Sequence, residues 1–330
     1  MIHVGVIPEK NSKNAMEHNN KPSILKASHL TKRFGSFVAV DDISFELGEG
    51  EIMGLLGVNG AGKTTTIQML LGILSETHGS IEYFGKSFKK YRGEILEKVN
   101  FSSTYTSLPY NLLVKECLKF ISYLYDIPNP KQRINKMVEL FRLEKLLSQK
   151  ISNLSAGQLT RVNLAKALIN SPKILLLDEP TASLDPEVAS YIREFLLEER
   201  EKSGISIILT SHNMAEIEEV CDRVVFIHNG KIIADDTPSK LAQSINTAKI
   251  ELYLPEKENK VLEHCLIKGL ICKANRGRVI VEVEEALIAD FLQGLAVSGI
   301  TYDEISIEKP TLQDYFLKVA KITSTQYHED

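Results

Sequence analysis

The chain has 330 residues, of which 43% are hydrophobic and 25% are charged, and its formal net charge is -4. This length allows one large and one smaller domain, and the composition is that of a globular protein with a sizeable core. The slightly acidic balance gives no global basic field, so no nucleic-acid partner is expected. No apolar run reaches the roughly 18 residues of a membrane span. The four cysteines are scattered, which argues against a disulfide framework or a zinc site.

The N-terminal residues 1–23 are polar and rich in asparagine, without periodicity. This pattern predicts a flexible tail, and it does not resemble a signal peptide. Residues 24–30 are predicted to form an edge strand, and a second strand is predicted over 38–47. Phe34 stands between them, where its ring could stack on a nucleotide base or pack in the core.

A glycine-rich segment from Gly57 to Thr65 fits the pattern G-x-x-x-x-G-K-[ST] in full. It follows a short apolar run that suits a buried parallel strand, and it precedes apolar residues at helical spacing. Glycines let backbone N–H groups surround a polyphosphate, and the helix N-terminus adds partial positive charge. Lys63 can bridge the outer phosphates, and the Thr64 hydroxyl can ligate Mg²⁺. The loop residues predicted to bind the nucleotide are Gly57, Asn59, Gly60, Ala61, Gly62, Lys63, Thr64 and Thr65.

Two other interpretations of this segment are weaker. A glycine-rich turn with a surface lysine does not account for the flanking strand and helix. A dinucleotide-binding motif that started at Gly60 would need a glycine at the position of Thr65.

Apolar residues at helical spacing predict a helix from Val114 and another over 134–141. These helices form an insert in an otherwise alternating pattern of strands and helices. The segment Leu154–Gln158, which reads L-S-A-G-Q, opens a further helix, and Ser155 suits its N-cap. The free N–H groups there could hold an anion, although in isolation the residues indicate no more than a helix start.

The apolar run 174–177 ends in Asp178 and Glu179, and open parallel sheets bind ligands at such strand ends. Asp178 suits Mg²⁺ binding through water, and Glu179 is placed to polarise a water molecule. The two acids could instead be loop residues or a helix cap. Asp185 is predicted to cap the next helix. His212 follows another predicted strand, where it could contact a terminal phosphate or lie on the surface.

From about residue 245 the predicted elements follow the order β-α-β-β-α-β, which is typical of a small ferredoxin-like module. Either a dimerising or regulatory addition or a packing appendage would fit this region.

These segments agree in order and spacing, and with them the chain resembles the ATP-binding subunit of an ABC transporter. Residues 57–65 look like the phosphate loop of that family, and 154–158 look like its L-S-G-G-Q signature. Residues 174–179 resemble the second nucleotide motif. Ser183–Asp185 resembles the dimer-contact loop, and His212 the switch histidine.

The resemblance covers about 24–240 and implies an α/β P-loop NTPase fold, the ABC ATPase core. Such a core has an antiparallel β subdomain and a helical subdomain, here at about 102–170. A small α+β accessory domain is expected over 241–330, after the tail 1–23 and the ATPase domain 24–240. Residues 310–317 resemble the closing segment of bacterial exporter-type subunits.

The resemblance also implies roles for individual residues. Two subunits would pair head to tail, with each ATP between the phosphate loop of one and the signature of the other. Lys63, Glu179 and His212 would be catalytic, with Glu179 as general base and His212 as the sensor of the γ-phosphate. Phe34 would stack on adenine. Thr64 and Asp178 would hold Mg²⁺, and the remaining implied nucleotide contacts are Ser155, Ala156, Gly157, Gln158 and Asp185.

The implied partners are a second copy of the chain in the ATP-bound state and a separate membrane permease. The chain would then work as a peripheral ATPase at the cytoplasmic face of the membrane, with export the expected direction. A soluble ABC-type ATPase with a non-transport partner is the alternative. An adjacent reading frame that encodes about six hydrophobic spans would favour the transporter.

Three positions depart from the family pattern. Val58 replaces a common proline and Ala156 replaces a glycine, and both changes are small. No glutamine occurs between Gln68 and Gln132, although the family places one in the loop after the strand near residue 101. The spacing assigns that position to Thr104, and a hydroxyl of Ser103 or Thr104 would need a bridging water to replace the amide. The resemblance therefore predicts altered hydrolysis or coupling and retained ATP binding.

Overall fold

The computed structural model describes residues 22–103, 108–182, 184–255 and 257–325. The chain divides into two compact units, of which the first ends at Thr237 and the second begins at Pro238. Most of the predicted tail lies outside the described residues, whereas Ser23 already begins the first strand. None of the described helices is both long enough and apolar enough to cross a membrane.

The first unit alternates strands and helices. Its strands are β1 (Ser23–Phe34), β2 (Phe37–Gly48), β3 (Ile52–Leu56), β4 (His78–Tyr83), β5 (Lys86–Ser87), β6 (Val99–Ser103), β7 (Ile174–Asp178), β8 (Ser206–Thr210), β9 (Arg223–His228) and β10 (Lys231–Asp236). Its α-helices are α1 (Lys63–Leu70), α2 (Phe88–Leu96), α3 (Val114–Ser122), α4 (Pro130–Leu140), α5 (Ala156–Ala167), α6 (Pro186–Ser203) and α7 (Met214–Val220). Short 3₁₀ turns span Glu144–Leu146 and Ile151–Asn153.

An antiparallel sheet with the strand order β2-β1-β4-β5 forms one layer of this unit. The prediction that residues 24–30 form an edge strand is wrong, because β1 pairs with β2 on one side and with β4 on the other. Since β4 is distant along the chain, no local sequence pattern could reveal this second partner.

A six-stranded sheet with the order β10-β9-β3-β8-β7-β6 forms the other layer, and only β10 pairs antiparallel. Every residue of β3, β7 and β8 is buried. This confirms the prediction that the apolar run before the glycine-rich segment forms a buried parallel strand. Because the strands from β9 to β6 are parallel, the C-terminal ends of β3, β8, β7 and β6 meet at one edge of the sheet.

Between β6 and β7 the described residues form three α-helices, as the apolar periodicity predicts. Helix α3 packs against α4 and α5, and it buries Cys117 and Leu118 in that contact region. Met137 of α4 and Leu164 of α5 are also buried.

The second unit confirms the predicted β-α-β-β-α-β order. Its strands β11 (Thr247–Tyr253), β12 (Ile271–Asn275), β13 (Arg278–Glu284) and β14 (Glu304–Glu308) form an antiparallel sheet in the order β12-β13-β11-β14. Its helices are α8 (Pro238–Gln243), α9 (Glu258–Lys268), α10 (Ile288–Val297) and α11 (Leu312–Thr325), with a 3₁₀ turn at Glu285–Leu287. The sheet and α9 and α10 enclose a separate apolar core.

Lys166 of α5 is a buried cation, with only 8% of its surface exposed. Its ammonium group lies 5.7 Å from the centre of the Phe101 ring on β6. Burial lowers the pKa of Lys166 to about 8, because apolar surroundings disfavour the charged form. The charge of Lys166 therefore opposes folding at neutral pH.

We predict that replacing this lysine removes a pH-dependent part of the stability. Between the folded pKa of about 8 and the ordinary lysine value of about 10.4, the unfolded chain holds a proton that the folded chain has lost. Wild-type stability should therefore rise with pH across this window, relative to Lys166→Met. Below the window Lys166→Met should be more stable by up to about 3 kcal/mol, which corresponds to a shift of this size.

Urea unfolding of both proteins at several pH values measures the difference in the free energy of unfolding. Lys173→Met, at an exposed site before β7, is the control and should follow wild type at every pH. A stability difference between wild type and Lys166→Met that stays constant with pH would contradict a buried, titrating ammonium.

Candidate active site

A cavity of about 290 Å³ lies where the parallel strands end. The loop between β3 and α1 contributes one part of its wall, and the residues after β7 and β8 contribute another. Its lining residues are Phe37, Ala39, Asn59, Gly60, Ala61, Gly62, Lys63, Thr64, Thr65, Asp178, Glu179 and His212. The structure therefore brings together the predicted loop, the two acids and the histidine.

Two glycines of the loop are fixed by close contact with neighbouring backbone. At Gly57, where φ is +155°, an added Cβ would lie 2.2 Å from the carbonyl oxygen of Ile227. At Gly62, where φ is +110°, it would lie 2.6 Å from the carbonyl oxygen of Ala39. Only glycine allows these approaches at positive φ. The loop is thereby held against β9 and β2, with its backbone free to surround an anion.

Lys63 begins α1, and its side chain turns back into the loop. Its ammonium donates to the carbonyl oxygen of Gly57 at 2.7 Å and to that of Val58 at 3.3 Å. Burial lowers the pKa of Lys63, and the nearby carboxylates of Glu179 and Asp178 oppose this effect. The cavity therefore holds a cation close to two acids.

Asp178 ends β7 and is held by hydroxyl groups from both neighbouring strands. The strand register pairs it with Ser103 of β6 and with Thr210 of β8. Thr210 Oγ1 donates to Asp178 Oδ1 at 2.7 Å, and Ser103 Oγ donates to Oδ2 at 3.4 Å. Asp178 and the Thr64 hydroxyl line the same cavity. This small oxygen donor set fits Mg²⁺, which prefers oxygen ligands and retains several waters.

Glu179 has a φ of +55°, a left-handed conformation that costs a non-glycine residue roughly 1–2 kcal/mol. Its N–H donates to the carbonyl of Thr210 at 3.2 Å and to its hydroxyl at 3.1 Å. Its Oε1 lies 3.1 Å from His212 Nε2, and its Oε2 accepts from the His212 N–H at 3.3 Å. Burial raises the pKa of Glu179, and the adjacent His212 partly offsets this. A carboxylate with a raised pKa in a cavity suits general-base chemistry.

The L-S-A-G-Q segment starts α5 away from this cavity, and none of its four residues from Ser155 to Gln158 is among the described lining residues. Ser155 Oγ accepts from the Gln158 N–H at 3.3 Å, and Gln158 Oε1 accepts from the Ser155 N–H at 2.9 Å. This capping box satisfies two backbone donors of the helix start. Ser155 and Ala156 are exposed to solvent.

The predicted dimer-contact loop reaches this helix start. Leu184 lies beside Gly157, with its Cδ2 3.6 Å from the position of an added Cβ. Ser183 lies outside the described residues. Asp185 stands at the N-cap of α6 and Pro186 is its first residue, but the Asp185 side chain makes no capping hydrogen bond. The predicted N-cap position of Asp185 is therefore confirmed, although its exposed side chain does not cap the helix by a hydrogen bond.

Two phenylalanines end the hairpin of β1 and β2 and pair across its turn. Phe34 is 48% exposed, so it is not a core residue, and the Lys32 ammonium lies 5.2 Å from its ring centre. Phe37 is more exposed and lines the cavity. Phe37 is not predicted as a site residue from the sequence, and the stacking role of Phe34 stays a prediction.

The position assigned to the missing glutamine, Thr104, lies outside the described residues. Its neighbour Ser103 is buried and contacts Asp178, as given above. Thr210, which contacts both acids, is not predicted as a site residue from the sequence. Its place at the end of a predicted strand, two residues before His212, was the available signal.

Comparisons with known proteins point to one family. The family model described as ABC transporter matches residues 40–182. The bacitracin transport ATP-binding protein BcrA of Bacillus licheniformis is 32% identical over 301 residues, which cover 90% of this chain and 97% of BcrA. The Nod factor export ATP-binding protein I of Ralstonia nicotianae is 35% identical over 70% of this chain and 72% of its own length.

A solved structure supports the fold assignment. CbiO1 of Clostridium perfringens, part of the ABC transporter complex cbiONQ, superimposes with a TM-score of 0.60 at 28% identity. The match covers 74% of this chain and 95% of cbiO1. The phosphate loop, the acids at the end of β7 and these similarities together lead to one assignment. The chain belongs to the ABC transporter family, as an ATP-binding subunit with ATPase activity and a P-loop NTPase fold.

Proposed function

We propose that two copies of this chain close head to tail around two ATP molecules and that this motion drives a separate membrane permease. One observation carries the proposal. The cavity at the sheet edge gathers the phosphate loop, both acids and His212, whereas the exposed signature at Ser155 lies outside its lining. A signature that faces solvent in its own subunit is available to complete the cavity of a partner.

Within each closed site, the loop N–H groups and Lys63 bind the phosphates, and Phe34 stacks on the adenine. Glu179 accepts a proton from the attacking water, and His212 contacts the γ-phosphate. Bound through Thr64 and Asp178, Mg²⁺ would neutralise charge on the phosphates. Ser155, Ala156, Gly157, Gln158 and Asp185 are proposed to act on the ATP of the partner subunit.

Transport is proposed to run outward, with the chain attached to the cytoplasmic face of the membrane through its permease. The names of the bacitracin transport and Nod factor export relatives support a transporter of this kind. For the second unit, which has an apolar core of its own, a dimerising or regulatory role is proposed.

We predict that Glu179→Gln traps the closed pair. Gln keeps the shape of the side chain but cannot take the proton from water, so ATP should remain bound and hold two copies together. With saturating ATP and Mg²⁺, light scattering after gel filtration should give twice the 37.0 kDa of one chain. With ADP the same variant should elute as single chains.

The matched control for this experiment adds Ala156→Glu to Glu179→Gln. The new carboxylate would repel the partner's phosphates, while an acid in the first turn is compatible with the helix. With ATP and Mg²⁺, this double variant should elute as a monomer. If Glu179→Gln itself remains a single chain with ATP, both alone and when purified with its permease, head-to-tail closure is contradicted.

The Ser103 hydroxyl is proposed to take part of the role of the absent glutamine. It already contacts Asp178, the proposed Mg²⁺ ligand. We predict that Ser103→Ala lowers kcat by about 10-fold, as expected for one lost hydrogen bond to a charged group, with nucleotide affinity retained. Ser102→Ala is the control, because Ser102 is equally buried but points to the opposite face of β6. Equal turnover in Ser103→Ala and Ser102→Ala would contradict a role of the Ser103 hydroxyl in hydrolysis.

A further inference from the structure

Glu216 is a buried acid in the first turn of α7, with 3% of its surface exposed. Its two carboxylate oxygens accept from Thr181 Oγ1 at 2.8 and 2.7 Å. Its Oε2 also accepts from Ser211 Oγ at 2.6 Å. A buried carboxylate is costly unless hydrogen bonds satisfy it. The free energy of these contacts therefore holds the two hydroxyl-bearing segments in place.

The two hydroxyl donors belong to the segments that carry the proposed catalytic groups. Thr181 stands two residues after Glu179, and Ser211 directly precedes His212. Glu179 and His212 contact each other on the cavity side, at 3.1 and 3.3 Å. Glu216 links the same two segments through its contacts with Thr181 and Ser211. It is not among the residues that line the cavity.

The turn that follows His212 reinforces this arrangement. The Asn213 N–H donates to Ser211 Oγ at 3.1 Å, and Asn213 Oδ1 accepts from the Glu216 N–H at 3.4 Å. Ser211, Asn213 and Glu216 thus form a closed set of hydrogen bonds. A displacement of the Glu216 carboxylate would be passed to the backbone on both sides of the Glu179–His212 contact.

We propose that Glu216 is a positioning residue, whose buried carboxylate fixes Glu179 and His212 at the separation that hydrolysis requires. It acts through Thr181 and Ser211 and does not contact the nucleotide. This inference rests on the proposed roles of Glu179 and His212. Its expected signature is a loss of turnover without a loss of ATP binding, because the phosphate loop does not depend on these contacts.

The experiment compares Glu216→Gln with Glu218→Gln in the full-length chain. Gln preserves the volume but replaces one acceptor oxygen by a donor, so the hydroxyl contacts must rearrange. A misplacement of about 1 Å can cost up to about 100-fold in rate, and we expect kcat of Glu216→Gln to fall by about 10-fold to 100-fold. The dissociation constant for a fluorescent ATP analogue should stay within about twofold. Glu218 lies on the exposed side of the same helix. Glu218→Gln should therefore match wild type in kcat and in the dissociation constant for the ATP analogue.

A double-mutant cycle with His212→Ala separates positioning from a general structural effect. If Glu216 acts through the Glu179–His212 pair, Glu216→Gln should slow His212→Ala by a smaller factor than it slows wild type, because only the positioning of Glu179 is left to lose. A structural role alone would make the two losses multiply.

Variants of Thr181 test the same hydrogen bonds in case Glu216→Gln folds poorly. Thr181→Ser keeps the hydroxyl and should retain turnover, whereas Thr181→Val keeps the shape, lacks the hydroxyl and should lose it. Wild-type turnover in Glu216→Gln and Thr181→Val, or multiplying losses in the cycle, would overturn the inference. Wild-type turnover in Glu179→Gln or His212→Ala would instead overturn the proposed function on which it rests.

Discussion

The parallel pairing of β3, β8, β7 and β6 is the constraint on which the site depends. Parallel neighbours end at the same edge of a sheet, so the residues that follow these strands are forced together although they are far apart in sequence. The phosphate loop follows β3, His212 stands two residues after the end of β8, and Asp178 ends β7. Every residue of β3, β7 and β8 is buried, and the burial of their apolar side chains therefore also stabilises the geometry of the cavity.

Hydroxyl groups hold the acidic side chains that the strand order brings together. Asp178 receives one hydroxyl from each neighbouring strand, and the buried Glu216 receives two more from the segments beside it. The hydrogen bonds from these hydroxyls replace the water that the two carboxyl groups lose on burial. The cation of Lys63 thus remains within its own loop, near the acids but not paired with them.

The sequence predicts the parts of this site that are contiguous and not those that depend on pairing between distant strands. The glycine loop, the acids after β7 and the order of the second unit can be predicted because local spacing carries them. The position of β1 inside its sheet and the contact between Ser103 and Asp178 depend on strand register, which no single segment encodes. Glu216 stands among other acids of α7 that are exposed, so its sequence pattern indicates a solvated face, and only tertiary packing distinguishes it.

The central claim is that each active site takes its phosphate loop from one copy and its signature from the other. The most direct test mixes two inactive chains, Lys63→Ala and Ala156→Glu, under conditions that allow subunits to exchange. Neither variant alone can build a complete site, whereas each mixed pair has one, so part of the wild-type ATPase rate should return on mixing. If the mixture stays as inactive as its components while pairs still form, the two halves of the site belong to one chain and the account is wrong.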